Sequence, residues 1–384
     1  MDHRELDDLW DVPLLSTIEP RYARVKKEKK IQERFHLTEE RKRPLGFPNP
    51  VFFSGRLAVE PRRERLAKRP LAKSPFRVLD APSILNDYYL NLLDWGPKDV
   101  VALGLSDHLY MWDAHTKSVT HLASASANNY ISGVSFSRDG TLAAGMSDGI
   151  VEIYDPEKGL VCTLPQRNCR TPSISWGPGM VSVGAKDGSI FNYDVRSGEH
   201  VSSFLSHTQE VCGLKWDADG VYLASGANDN TVCVWRAGCV RPKVRFEEHT
   251  AAVRAVAWCP WKKGVLSTGG GTGDRTIKTW DVEQGSCLDS LDTGSQVCSI
   301  VFSERYKEII TTHGYSDNNI CVWKFCSMRK IGEMKGHTDR VLFSALSPGG
   351  DVLATCAADE NLNFWVLFDQ NVDRASPGET VVLR

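Results

Sequence analysis

Seven aromatic residues recur along this chain at an almost constant interval, and that interval constrains the fold more than any other feature. Trp112, Tyr154, Tyr193, Trp235, Trp280, Trp323 and Trp365 each close a β-rich run: LYMW, VEIY, IFNY, VCVW, IKTW, ICVW and LNFW. Their successive spacings are 42, 39, 42, 45, 43 and 42 residues. A period of about 40–45 residues is that of one four-stranded propeller blade. A second marker travels with the first. Asp148, Asp187, Asp229, Asp274, Asp317 and Asp359 each stand six residues before their aromatic, and only the first repeat differs, with Ser106 there and Asp107 next to it.

The pattern describes a strand–turn–strand unit. A small-residue strand (LASGA, VSVGA, LATCAA) enters a polar turn carrying the Asp, and the next strand alternates apolar and polar residues up to the aromatic. In three repeats a His lies upstream: His207, His249 and His337. His207, Ser225, Asp229 and Trp235 make a plausible buried tetrad, as do His337, Thr355, Asp359 and Trp365. Ser, His and Asp together invite a catalytic-triad reading, but a set that recurs blade after blade is a structural latch. The fold class is therefore all-β: a seven-bladed WD-repeat β-propeller. Its ring needs closing, and the alternating run PFRVLD (75–80) is expected to supply the outer strand of the last blade. The propeller then spans 76–369.

Composition describes the flanks. Residues 1–75 carry 18 Lys and Arg against 12 Asp and Glu, whereas the rest of the chain carries 28 against 36. Rich in Lys, Arg, Glu and Pro, this stretch reads as a disordered basic arm with short recognition segments. Residues 370–384 read as a flexible tail ending in Leu383-Arg384. No apolar run reaches the roughly 18 residues of a membrane span, and MDHRELDDLWDVP lacks the apolar core of a secretory signal. The eleven cysteines form no CxxC pair and fall mostly in strands, as expected of a reduced protein with buried thiols. No zinc-protease, nucleophile-elbow or phosphate-loop motif occurs, since GGGTGDRT lacks the Lys and lies between strands. The chain is read as a binding protein, with neither enzyme activity, metal nor cofactor. The basic arm leaves nucleic acid open as a partner, although its interleaved Glu residues argue against it.

The stretch LDAPSILNDYYLNLLDWG (79–96) is not required by a generic repeat, and it resembles the start of the propeller in the Fizzy and Fizzy-related coactivators of the anaphase-promoting complex. The resemblance continues through QEVCGLKW, ASGANDNTVCVW, AVRAVAWCPW, TGGGTGDRTIKTW, TGSQVCSI, THGYSDNNICVW and GHTDRVL, with NDYYLNLLDW and WCPW leaning to the Fizzy branch. It implies a substrate-recognition adaptor of that ubiquitin ligase, in the nucleus and cytoplasm, which binds short degrons on cell-cycle proteins, and it leaves spindle-checkpoint proteins open as partners. The residues it implicates in the Lys-Glu-Asn degron pocket are Asn228, Asn230, Thr272, Gln296 and Arg340. For the destruction box it implicates Glu360, while Ser106 replaces an expected Asp and leaves Asp107 one place away. Ligase docking falls to Arg21 and Tyr22 in PRYARVK, a degenerate form of the family's arm motif, and to Leu383-Arg384. The alternative reading is a non-catalytic WD-repeat scaffold for another protein or nucleic-acid complex.

Overall fold

The computed structural model describes residues 71–165 and 168–367 and the backbone of 381–382. Each of the seven sequence repeats forms one antiparallel sheet. Blades one to six run from Leu93 to Ser124, Ile131 to Leu164, Ser173 to Leu205, Val211 to Phe246, Val253 to Asp292 and Val297 to Met334. Blade seven takes three strands from Val341 to Val366 and a fourth, Arg77–Asp80, from the front of the propeller. The inner strands touch in chain order and the last returns to the first, so the sheets form a closed ring. Apart from a single 3-10 turn at Phe325–Ser327, the described elements are all strands.

The seven repeat aromatics all lie on the third strand of their blades, facing inward between sheets. Trp235, Trp280 and Trp365 are fully buried, and Phe204 and Phe246 stack on the first two at centroid distances of 4.6 and 4.2 Å. Large buried aromatics of this kind contribute about 3–5 kcal/mol each. Small residues on the inner strands serve close approach between blades: a Cβ on Gly133 would sit 2.8 Å from the carbonyl oxygen of Pro172 in the next blade.

The latches form as the repeat demands. His207 Nδ1 lies 3.2 Å from Asp229, His207 Nε2 lies 2.8 Å from Ser225 Oγ, and Trp235 Nε1 donates to that hydroxyl at 2.9 Å. In blade seven, His337 meets Asp359 at 3.1 Å and Thr355 at 2.8 Å, and Trp365 donates to Thr355 at 2.8 Å. Blade five adds His249 with Asp274, Thr268 and Trp280. Blade six solves the problem differently: His313, from its second strand, bonds Thr311 Oγ1 at 2.7 Å, and Trp323 donates to the same hydroxyl at 2.8 Å. Burial opposes a charge on His207, but Asp229 outweighs it and raises the imidazole to about 9. Among the described residues His313 has no carboxylate at bonding distance, and burial holds it down at about 4.

The closing strand pairs antiparallel with Asn361–Phe364, as the run PFRVLD predicts. Two features add to that expectation. Residues just before it already belong to the packed body, with Leu71 and Ala72 against the cluster of Trp365 and Leu367. A two-residue strand, Val381–Val382, lies parallel to Leu79–Asp80 and makes blade seven five-stranded. Arg21, Tyr22, Leu383 and Arg384 lie outside the described residues.

Candidate functional site

Between the closing strand and blade one, residues 81–92 cross the middle of the ring. Tyr88 sends its hydroxyl to the carbonyl of Val297 at 3.0 Å, and Asn91 donates to the carbonyls of Pro172 and Cys212 at 2.8 and 2.9 Å. Beneath them Arg254, 5% exposed, donates to the carbonyls of Leu90, Cys298 and Leu342. Burial lowers its pKa, and several carbonyl dipoles from different blades satisfy its donors. A buried cation is held only where its hydrogen bonds are met, so this crossing segment is fixed across the face rather than draped over it.

That fixed segment completes a depression. Asn86, Asp87, Tyr88 and Tyr89 line it together with Asn228, Asn230, Thr272, Gln296 and Arg340. All five residues implicated for the Lys-Glu-Asn pocket thus face one opening, although they come from blades four to seven. The turns following the second strands supply Asn228, Asn230 and Thr272, and the loops entering the inner strands of blades six and seven supply Gln296 and Arg340. In a four-stranded antiparallel blade, these two kinds of connection emerge at the same end.

The polar groups there are oriented. Tyr89 donates its hydroxyl to Asn228 Oδ1 at 3.0 Å, and Asn228 Nδ2 donates to Gln209 at 2.7 Å. Burial, with Cys212, Glu210 and Asp87 nearby, raises the Tyr89 pKa and keeps it a hydroxyl. Arg340 donates from Nη2 to Asn86, while its Nε is buried and has no partner among the described residues. On the opposite side, Asp87 accepts from Arg170 at 2.8 Å, and Arg170 grips Glu210 with Nε and Nη2 at 2.5 and 2.7 Å. The depression therefore carries a guanidinium, a carboxylate and amides together. Asn86, Asp87 and Tyr89 were not singled out from the sequence. They lie in NDYYLN, whose excess over the generic repeat was the available signal.

The second candidate region lies where blade seven meets blade one. Glu360 follows Asp359 in the turn of blade seven, with a positive φ of 62°. Its carboxylate accepts from the Ser83 amide at 3.1 Å, and its carbonyl accepts from Ala81 at 2.7 Å. The acidic residue nearest along the paired closing strand is Asp80, whose Cα partner is Asn361, the residue after Glu360. Asp107 sits elsewhere in the ladder, 3.7 Å from His108. The reason for its one-residue offset is a shorter hairpin. In blade one, Leu105 pairs directly with His108 around Ser106-Asp107, and Ser106 has φ +53°. In blade four, Ala227 bonds Thr231 around three residues, with the positive φ on Asn230. Counted back from its own Trp, Asp107 thus occupies the place of Glu360 rather than that of the latch Asp. Alongside, Trp95 and Trp112 pack on Phe364 at centroid distances of 5.6 and 4.7 Å. Sequence reading passed over Asp80 because it precedes the first full repeat.

All eleven cysteines are unpaired. Among the described residues, no group of three or more His, Cys, Asp or Glu is arranged to hold a metal ion.

The family model of the CDC20/Fizzy WD40 domain matches residues 79–365. The WD repeat-containing protein slp1 of Schizosaccharomyces pombe is 44% identical over 81% of this chain and 65% of its own. The anaphase-promoting complex subunit cdc20 of Dictyostelium discoideum is 44% identical over 79% of this chain and 62% of its own. Protein FIZZY-RELATED 2 of Arabidopsis thaliana is 43% identical over 80% and 65%. The match thus spans less than two thirds of each of these relatives, and identity does not separate the Fizzy from the Fizzy-related branch. A chain in the crystal structure of a mitotic checkpoint complex superposes with a TM-score of 0.77 at 41% identity, covering 85% of this chain and 99% of that one.

Proposed function

This chain belongs to the CDC20/Fizzy family of WD-repeat proteins, and from that premise we propose that it is a non-catalytic adaptor that recruits degron-bearing cell-cycle proteins to the anaphase-promoting complex for ubiquitination. The observation that carries this reading is the depression built from four blades and the crossing segment. Arg340 can meet a degron Glu in a charge-assisted hydrogen bond, Asp87 can meet a Lys, and the amides of Asn228, Asn230 and Gln296 can pair with an Asn. Asn228 and Arg340 are already hydrogen-bonded in place, which lowers the ordering cost of binding.

A second degron, the destruction box, fits the joint between blades seven and one. There Glu360 and Asp80 would receive an Arg, with Asp107 contributing at longer range. Arg21 and Tyr22 with Leu383-Arg384 are the proposed ligase contacts. Spindle-checkpoint proteins are proposed partners because a relative is a component of such a complex, and the nucleus and cytoplasm are the proposed locations.

Titration of a Lys-Glu-Asn peptide against the purified protein, with its Asn→Ala version as control, tests the reading. Selective binding of the first peptide is expected. Equal affinity for both would remove the pocket assignment and favour the scaffold alternative.

A further inference from the structure

The outer strand of each of blades one to six has no further strand beside it among the described residues; blade seven does. Its added strand is the chain's own tail, with Val381 opposite Leu79 and Val382 opposite Asp80, in parallel. We propose that the outer edge of the closing strand is a docking site for this tail, and that pairing there withholds Leu383 and Arg384 from an external partner. The second clause rests on the ligase-docking role given to those residues above.

Several features suit the closing strand to this occupant. A sheet edge presents unpaired N–H and C=O groups, the template on which extended segments add as strands. The sequence offered to it, Thr380-Val381-Val382, is β-branched throughout. Thirteen residues separate Leu367 from Val381. At about 3.3 Å per extended residue, that length is ample for the chain to turn back along the blade. The edge also closes the ring, so a strand added there joins the front and back of the propeller. Leu383 and Arg384 follow Val382 covalently, which tethers a docked tail beside Asp80.

A ladder of two pairs is weak by itself. The tail therefore exchanges between a docked and a free state, and only the free state can reach a ligase. A partner whose binding-competent state is partly populated shows an affinity reduced by that fraction. A docked fraction of one half to four fifths corresponds to a two- to five-fold reduction.

The experiment uses the full chain and a Val381→Pro/Val382→Pro variant. Proline removes the ladder N–H groups but leaves Leu383 and Arg384 intact. Amide hydrogen exchange of the tail and of residues 77–81 is read first, with thermal unfolding as the folding control. Protection of the tail in the natural chain, lost in the variant, is expected; an unprotected tail in the natural chain overturns the proposal. Binding to purified anaphase-promoting complex is read second, and the variant is expected to bind two- to five-fold more tightly. Protection without a change in ligase affinity overturns the withholding and keeps the docking. Failure of both proteins to bind the ligase overturns the ligase-docking reading, while exchange still decides the docking by itself.

Discussion

The guanidinium of Arg340 lies over the ring of Tyr315, 5.0 Å from its centroid, across the joint between blades seven and six. The stack holds Arg340 from one side, and Asn86 holds its Nη2 from the other. Its Nε is buried and has no partner among the described residues. Arg340→Ala is expected to weaken a Lys-Glu-Asn peptide by about 1–3 kcal/mol, the range for losing a charge-assisted bond. Tyr315→Leu should weaken it less, by removing only the positioning contact, typically about 0.5–1 kcal/mol. Calorimetric titration with unchanged thermal stability is the check.

The acidic joint gives an ordered series. Glu360→Ala and Asp80→Ala should each strongly reduce binding of an Arg-x-x-Leu peptide, because Asp80 pairs with Asn361, next to Glu360, at the joint between blades seven and one. Asp107→Ala should have a small effect, about 0.2–1 kcal/mol, as for an exposed charge. Titrations at one ionic strength read the order. A larger loss in Asp107→Ala than in Asp80→Ala would move the site along the ladder to blade one.

Docking to the ligase is expected to be bivalent. Arg21→Ala with Tyr22→Ala should abolish stimulation of ubiquitin transfer, and deleting Leu383-Arg384 should reduce it by more than one contact suggests, because attachment at two points multiplies affinity. Degron-peptide affinity should be unchanged in both variants. Loss of peptide affinity along with ligase activity would point instead to a folding defect.

Two histidines should give opposite pH signatures. His207 has a raised pKa of about 9, so its contribution is complete below about 6.5 and is lost as pH rises through 9. His313 has a lowered pKa of about 4, so its contribution is complete above about 6.5 and is lost as pH falls through 4. Each amounts to roughly 3 kcal/mol at most. Denaturant unfolding from pH 4 to 9 should show a shallower alkaline slope for His207→Gln and a shallower acid slope for His313→Gln. Parallel curves for a variant and the natural chain would mean that the histidine titrates alike folded and unfolded.

The fold was legible because its signals are local and repeated. A blade is one strand–turn–strand unit written seven times, so the aromatics from Trp112 to Trp365 and the Asp residues six places before them could be read from spacing, and the closing strand from the alternation of PFRVLD and the need to close the ring. His313 escaped because it reaches the same Thr–Trp latch from within its own strand, where the spacing rule does not look. The candidate sites were legible only in part. The five residues from Asn228 to Arg340 could be carried over by resemblance, but nothing in their spacing showed that Asn86, Asp87 and Tyr89 stand among them. Only the tertiary structure decided that. Arg340 bonds Asn86 across 254 positions and Glu360 bonds Ser83 across 277. Such pairs exist because the ring closes, bringing the first described residues against the last blade, and no local propensity encodes a contact that depends on seven blades meeting end to start.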